Sequence, residues 1–189
     1  MATFYRGAGV GSYWHRRDAR ITGFVAHEPG ANRNLPNLIG HVRDGTTKSP
    51  YISLTRSYSV AWNYAVGWGT PTAADPAFVY AIEINNPPPA GLQILDPLLE
   101  LLQKFNCPID GATYHHDGNP DFLIGVIDRT NYQACLDRPI QSPPPGGATA
   151  RPANLCPELE TIVRALRDAE LLAVGIIPRE CVVTRYEVF

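Results

Sequence analysis

Apolar residues come in short blocks along this chain, and the breaks between blocks are rich in proline and glycine, 18 and 16 of 189 residues. Blocks of that length predict short strands and interrupted helices. The clearest is residues 77–84, where β-branched and aromatic residues run between turn signals and predict a strand. Residues 3–7 predict a short first strand ending on Arg6, with Gly7 and Gly9 after it. Residues 49–55 predict another, with Tyr51, Ser53 and Thr55 on one face and Ile52 and Leu54 on the other. Stretches 122–127, 170–177 and 181–188 complete the expected strands. Helical spacing covers 56–66, where Ser57 is the N-cap and a stripe of Val60 and Tyr64, with Ala61 beside them, is expected to face the core. It also covers 95–105, opening on Asp96-Pro97, and 157–166, with Leu159, Ile162, Val163 and Leu166 on one side. Residues 11–38 leave helix and loop undecided, and 38–43 read as a helix end or a strand. The fold class is therefore α+β, with two small packed, mainly antiparallel sheets and flanking helices.

Composition narrows the function. A hydrophobic content of 44% supports one ordinary folded domain, and a formal net charge of -2 gives no basic field for a phosphate backbone. Nucleic acid is not a favoured partner, although a local basic patch stays open. No stretch has the apolar length of a membrane span. The first residues lack the charged head and apolar run of a signal peptide. The expected setting is the cytoplasm, or delivery by a secretion system or a larger toxin. Cys107, Cys135, Cys156 and Cys181 are too far apart for metal-ligand spacing, which leaves disulfides or buried thiols. His115-His116-Asp117 has no third ligand at useful spacing, so no metal site is assigned. Residues 141–148 read as a low-complexity linker.

Three places carry chemistry. Asp168 and Glu170 stand one residue apart before an apolar run, and on a strand they would point into one space while Leu171 packs the other way. Two carboxylates aimed together can hold a hydroxyl and steer a nucleophile; the plain alternative is a solvated helix end. Arg6 ends a strand beside flexible glycine backbone, where a guanidinium suits a pyrophosphate or a carboxylate. Ser53 and Thr55 are two hydroxyls on one strand face, able to orient a carboxylate.

Taken in order, Arg6, the Ser53 of Tyr-Ile-Ser-Leu-Thr, and the Glu170 of Asp-Ala-Glu resemble the Arg–Ser–Glu signature of the cholera-toxin-like ADP-ribosyltransferases. His41-Val42-Arg43 matches a His-x-Arg upstream of the serine strand. Phe78-Val79-Tyr80-Ala81-Ile82 is similar to the family's central aromatic strand, Val174-Gly175-Ile176-Ile177-Pro178 to its Gly-Gly-Ile-Pro turn, and Tyr186 fits its closing strand. There are departures. Ser53-Leu54-Thr55 replaces Ser-Thr-Ser, Asp168 replaces a glutamate or glutamine, Ile176 replaces a glycine, and residues 107–152 look like an insertion into a single catalytic domain spanning 1–189.

The resemblance implies NAD as co-substrate and mono-ADP-ribosyl transfer, with a toxin or effector role. Glu170 would hydrogen-bond the ribose 2′-hydroxyl and face the cationic sugar, Ser53 would hold Glu170, and Thr55 would support it. Arg6, beside Gly7, would hold the dinucleotide; Tyr58 or Trp62 would cover the nicotinamide; His41 would shape the pocket. A carboxylate at Asp168 implies a protein arginine as acceptor. An antitoxin or immunity protein is an implied partner. The rival expectations are an NAD glycohydrolase with the same site, a nucleic-acid ADP-ribosyltransferase, and an inactive binding module.

Overall fold

A computed structural model describes residues 1–104, 109–116, 119–128 and 157–189. The apolar run at 77–84 becomes β4 (Ala77–Ile84), and its alternation decides which layers it separates. Phe78, Tyr80, Ile82 and Ile84 enter one core cluster, while Ala77 and Val79 enter another. Strand β4 is covered on both faces and sits inside a six-stranded sheet, flanked by β1 (Ala2–Ala8) and β10 (Val182–Val188). The sheet continues from β1 through β3 (Tyr51–Thr55) and β8 (Glu170–Val174) to β5 (Gln93–Leu95), every pairing antiparallel.

One face carries the largest core cluster. It is closed by α1 (Tyr13–Arg16), α2 (Ala19–Thr22) and a two-stranded ladder of β2 (Phe24–Val25) with β9 (Ile176–Ile177), through Trp14, Ala19, Phe24 and Ile177. The other face is covered in two separate parts. Helix α4 (Tyr58–Val66) lies on β1 and β4, burying Ala61 and Ala65. Helices α3 (Leu35–Asp44), α5 (Pro97–Lys104) and α6 (Pro157–Asp168) pack together beyond β3 and β8, around Leu38, Tyr51, Leu101, Ile162 and Leu172. A hairpin of β6 (Ile109–His116) and β7 (Asn119–Asp128) stands as its own ladder.

The α+β class holds, but instead of two small sheets there is one six-stranded sheet and short ladders. Residues 38–43 belong to a ten-residue helix. Asn34 caps it by accepting from the Asn37 N–H at 3.0 Å, and Pro36 falls in its first turn, so both are its start signals within the stretch left undecided. On α4, Ser57 caps as expected and Ala61 is buried, but its buried partner is Ala65; Tyr64 is exposed and Val60 only partly covered. The absent side chain of Gly7 lets α4 settle this close to β1, where a Cβ would collide with the Ala61 carbonyl. Among the described side chains of α6 the buried ones are Thr161, Ile162 and Ala165, while Val163 and Leu166 are exposed. The stretch 170–177 is two strands, because Gly175 turns the chain at φ 98° against the backbone of Gly91. Cys181 is a buried free thiol. Cys107, Cys135, Cys156, the side chains of His115 and His116, Leu159, the linker at 141–148 and most of the expected insertion lie outside the described residues. Among the described residues no helix is long and apolar enough to cross a membrane, and no cluster of metal-ligating side chains forms.

Candidate active site

Strands β1 and β4 run together along their whole length, but β1 and β3 share a single register pair, Tyr5 with Thr55. Beyond that bridge the two strands diverge. The helical cover also parts there, with α4 on one side and α3 on the other. The result is a cleft of about 480 Å³, whose walls include Arg6, Gly7, His41, Ser53, Thr55, Asp168 and Glu170. Seven of the nine expected site residues are brought together. Tyr58 and Trp62 are not: both lie on the outer side of α4, Tyr58 stacked edge-on between Tyr5 and Tyr186. The aromatic side chains that do line the cleft include Tyr13, Trp14, Tyr64 and Trp68.

Asp168 and Glu170 do not share a strand. Asp168 is the last residue of α6 and Glu170 the first of β8. Ala169 between them has φ 45°, the left-handed region that an alanine enters at a cost of about 1–2 kcal/mol. That one residue turns helix into strand and leaves both carboxylates on the cleft. The end of β3 holds the junction in place. The Thr55 hydroxyl donates to the Asp168 carbonyl at 2.6 Å and accepts from the Ser57 N–H at 3.0 Å, while the Arg56 N–H reaches the Ala169 carbonyl at 3.4 Å. Thr55 is thus committed to backbone and supports Glu170 from behind, as its register partner.

Glu170 is nearly buried, its side chain 9% exposed. Burial pushes its carboxyl from 4.5 up to about 7; the Ser53 hydrogen bond opposes this, Asp168 adds to it, and the charges of Arg6 and Arg167 pull it down. His41, whose side chain is fully buried, lies 3.8 Å from the same carboxylate through Nε2. Burial, with the Arg6 charge, brings His41 from 6.5 down to about 3, so it is neutral and carries one ring proton. Its Nε2 is 2.8 Å from Ser53 Oγ and its Nδ1 is 2.6 Å from Ser49 Oγ. The influence of Ser53 that draws the Glu170 pKa down fits a neutral His41 that donates from Nε2–H to Ser53 Oγ and accepts at Nδ1 from the Ser49 hydroxyl. Ser49 in turn accepts from the Tyr51 N–H at 3.1 Å. Ser49, His41 and Ser53 thus form a hydrogen-bonded row that starts from the β3 backbone and ends beside the Glu170 carboxyl.

Arg6 donates through Nη1 to the Ser53 carbonyl and lies over the Phe24 ring. Burial lowers its pKa to about 10, opposed by the Glu170 charge, so it stays a cation at neutral pH. Its Nε is buried without a hydrogen-bond partner, an unusual state for a native donor. At the lip of the cleft Asp168 is clasped by Arg167, Nε to Oδ1 and Nη2 to Oδ2, both 2.6 Å, and Tyr64 Oη donates to Oδ2 at 2.6 Å. Burial works to raise the Asp168 carboxyl, but these bonds outweigh it and hold the pKa low. The Tyr64 hydroxyl is pushed up to about 12 by burial and by that hydrogen bond.

Ser49, Tyr64 and Arg167 went unassigned in the sequence. The Ser49 signal was its place eight residues after His41, and the Arg167 signal was its adjacency to Asp168. Nothing marked Tyr64, whose helical spacing matches a core stripe equally well. Compared with known proteins, the chain matches no family model and no curated protein.

Proposed function

We propose that this chain is an NAD-dependent mono-ADP-ribosyltransferase with an ADP-ribosyltransferase-like fold, acting as a toxin or effector on a macromolecular acceptor. The observation that carries the reading is the environment of Glu170: a buried carboxylate, hydrogen-bonded by Ser53, beside neutral His41 and within reach of the Arg6 charge. In this reaction the nicotinamide–ribose bond breaks with its electron pair passing to the departing nicotinamide nitrogen. Positive charge develops on the sugar, as it does in glycoside hydrolysis. An acceptor lone pair then bonds to the anomeric carbon, and the acceptor gives up a proton.

An anion fixed in a poorly solvated wall stabilises positive charge on the sugar more than it stabilises the same charge while it rests on the nicotinamide ring. The hydrogen-bonded row behind Ser53 keeps the carboxylate oxygens oriented without reorganisation. With a pKa near 7, Glu170 is ionised from neutral pH upward, so cleavage should rise through that range. Arg6 suits the dinucleotide because its cation lines the cleft. The cleft volume falls within the range of small-molecule sites, roughly 300–1,000 Å³. Tyr64 and Trp68 replace Tyr58 and Trp62 as the aromatic walls available to the nicotinamide. An antitoxin or immunity partner belongs to the same proposal.

One observation favours a second reading, an NAD glycohydrolase. Asp168, the anion available to an arginine acceptor, is already engaged by Arg167 and Tyr64, and water needs no such anion. Incubation with NAD labelled on the adenylate side separates the two. Label bound to protein marks a transferase, whereas free labelled ADP-ribose alone marks a hydrolase.

A further inference from the structure

Two chain segments supply the aromatic rim of the cleft, and His15, which stands behind that rim, joins them. One segment is the turn from β1 into α1, residues 9–14; the other is the link from α4 to β4, residues 67–76, which carries Trp68. They meet through glycines. A Cβ on Gly9 would run into the Trp68 Cβ, and one on Gly69, at φ 75°, would come within 3.1 Å of the Val10 Cβ.

His15 belongs to α1, where the Ser12 hydroxyl accepts from its backbone N–H at 3.3 Å. Its Nδ1 lies 3.2 Å from the Gly11 nitrogen on the first segment. Its Nε2 lies 3.0 Å from the Pro76 carbonyl oxygen on the second, with Asp75 Oδ1 at 3.3 Å. Each backbone partner has a single role. The Gly11 N–H only donates and the Pro76 carbonyl only accepts, so the ring proton of the neutral imidazole is on Nε2. The ring is also stacked on Phe78, with centroids 5.3 Å and planes 25° apart, and Phe78 is anchored in the main core. A turn closed by two backbone bonds of 3.1 Å between Thr72 and Asp75 brings Asp75 and Pro76 to the histidine.

We propose that His15 is a positioning residue for the dinucleotide: it ties the two segments together and so fixes the rim that carries Trp68. The identity of the ligand rests on the transfer reaction proposed above; the tie does not. Glu170 and Ser53 are held through Thr55, Ser49 and His41, contacts that His15 does not share. Loosening the rim therefore weakens binding of the ground state and the transition state alike, which raises KM and spares kcat.

Two substitutions undo the tie one end at a time. In His15→Asn the amide oxygen takes the place of Nδ1, so it accepts from Gly11 but falls short of Pro76. In His15→Gln the amide nitrogen takes the place of Nε2, so it donates to Pro76 and leaves the Gly11 N–H without its acceptor. Nicotinamide release from NAD should show KM raised about tenfold in each variant, with kcat within about twofold of wild type. Hydrogen exchange of the Gly11 amide, followed by NMR without NAD, should be about tenfold faster in His15→Gln and unchanged in His15→Asn. A wild-type KM in either variant overturns the positioning role, as does a fall in kcat at constant KM. Equal Gly11 exchange in wild type and His15→Gln overturns the tie itself. No release by wild type sinks the NAD reading and with it the ligand, while the exchange rates still decide the tie.

Discussion

Replacing Glu170 with glutamine should make the protein more stable, and only above mildly acidic pH. The folded state raises this carboxyl from 4.5 to about 7, so between those values it binds a proton that the unfolded chain releases. Stability contributed by that proton is fully present below 4.5 and is lost as pH rises to 7. At about 1.36 kcal/mol per pH unit, the buried carboxylate costs roughly 3 kcal/mol above pH 7. Glutamine keeps the shape and can still accept from Ser53, but carries no charge to bury. Wild-type stability alone is a poor readout, because His41 titrates oppositely: its pKa falls from 6.5 to about 3 on folding, so its stability is lost as pH drops through that window. The difference between Glu170→Gln and wild type removes the His41 contribution. Measured by urea unfolding, that difference should be near zero at pH 4.5 and grow by about 2–3 kcal/mol by pH 8. A difference independent of pH, or a variant less stable than wild type at pH 8, would refute the reasoning about burial.

Other outcomes follow from neighbouring contacts. Ser53→Ala removes a hydrogen bond to a charged group, worth about 1.5–3 kcal/mol, and should slow nicotinamide release by about tenfold to a hundredfold. Because that bond holds the Glu170 pKa down, the pH–rate midpoint should also move upward. Gly7→Ala places a methyl against the Ala61 carbonyl and should cost about 1–3 kcal/mol in urea unfolding, through displacement of α4. Ala169→Gly relieves a left-handed alanine and should raise stability by about 1 kcal/mol, while loosening the carboxylates it positions.

Local signals sufficed wherever one residue type has one job. The β4 run, the Ser57 cap and the facing of β3 were legible because alternation and capping are written in adjacent residues. The α4 stripe was misread at Val60 and Tyr64 because large apolar residues outrank alanine in any hydrophobic pattern. Packing buried Ala61 and Ala65, since the absent side chain of Gly7 lets α4 settle close to β1. Asp168 and Glu170 were expected to share a space as neighbours on a strand. They line the same cleft, but through a helix end and a single left-handed residue, which no periodicity reveals. The Arg167 clasp and the Tyr64 hydroxyl were invisible for a different reason: Tyr64 and Asp168 are 104 positions apart, and their meeting depends on how α4 and α6 approach across the sheet.

The most direct measurement is release of free nicotinamide from NAD by purified wild-type protein and by Glu170→Gln. Wild type is expected to release it, and loss of the anion facing the sugar should reduce the rate by about a hundredfold to a thousandfold in a variant that stays folded. No release by wild type, or equal release by folded Glu170→Gln, would contradict a cleft built to cleave the dinucleotide.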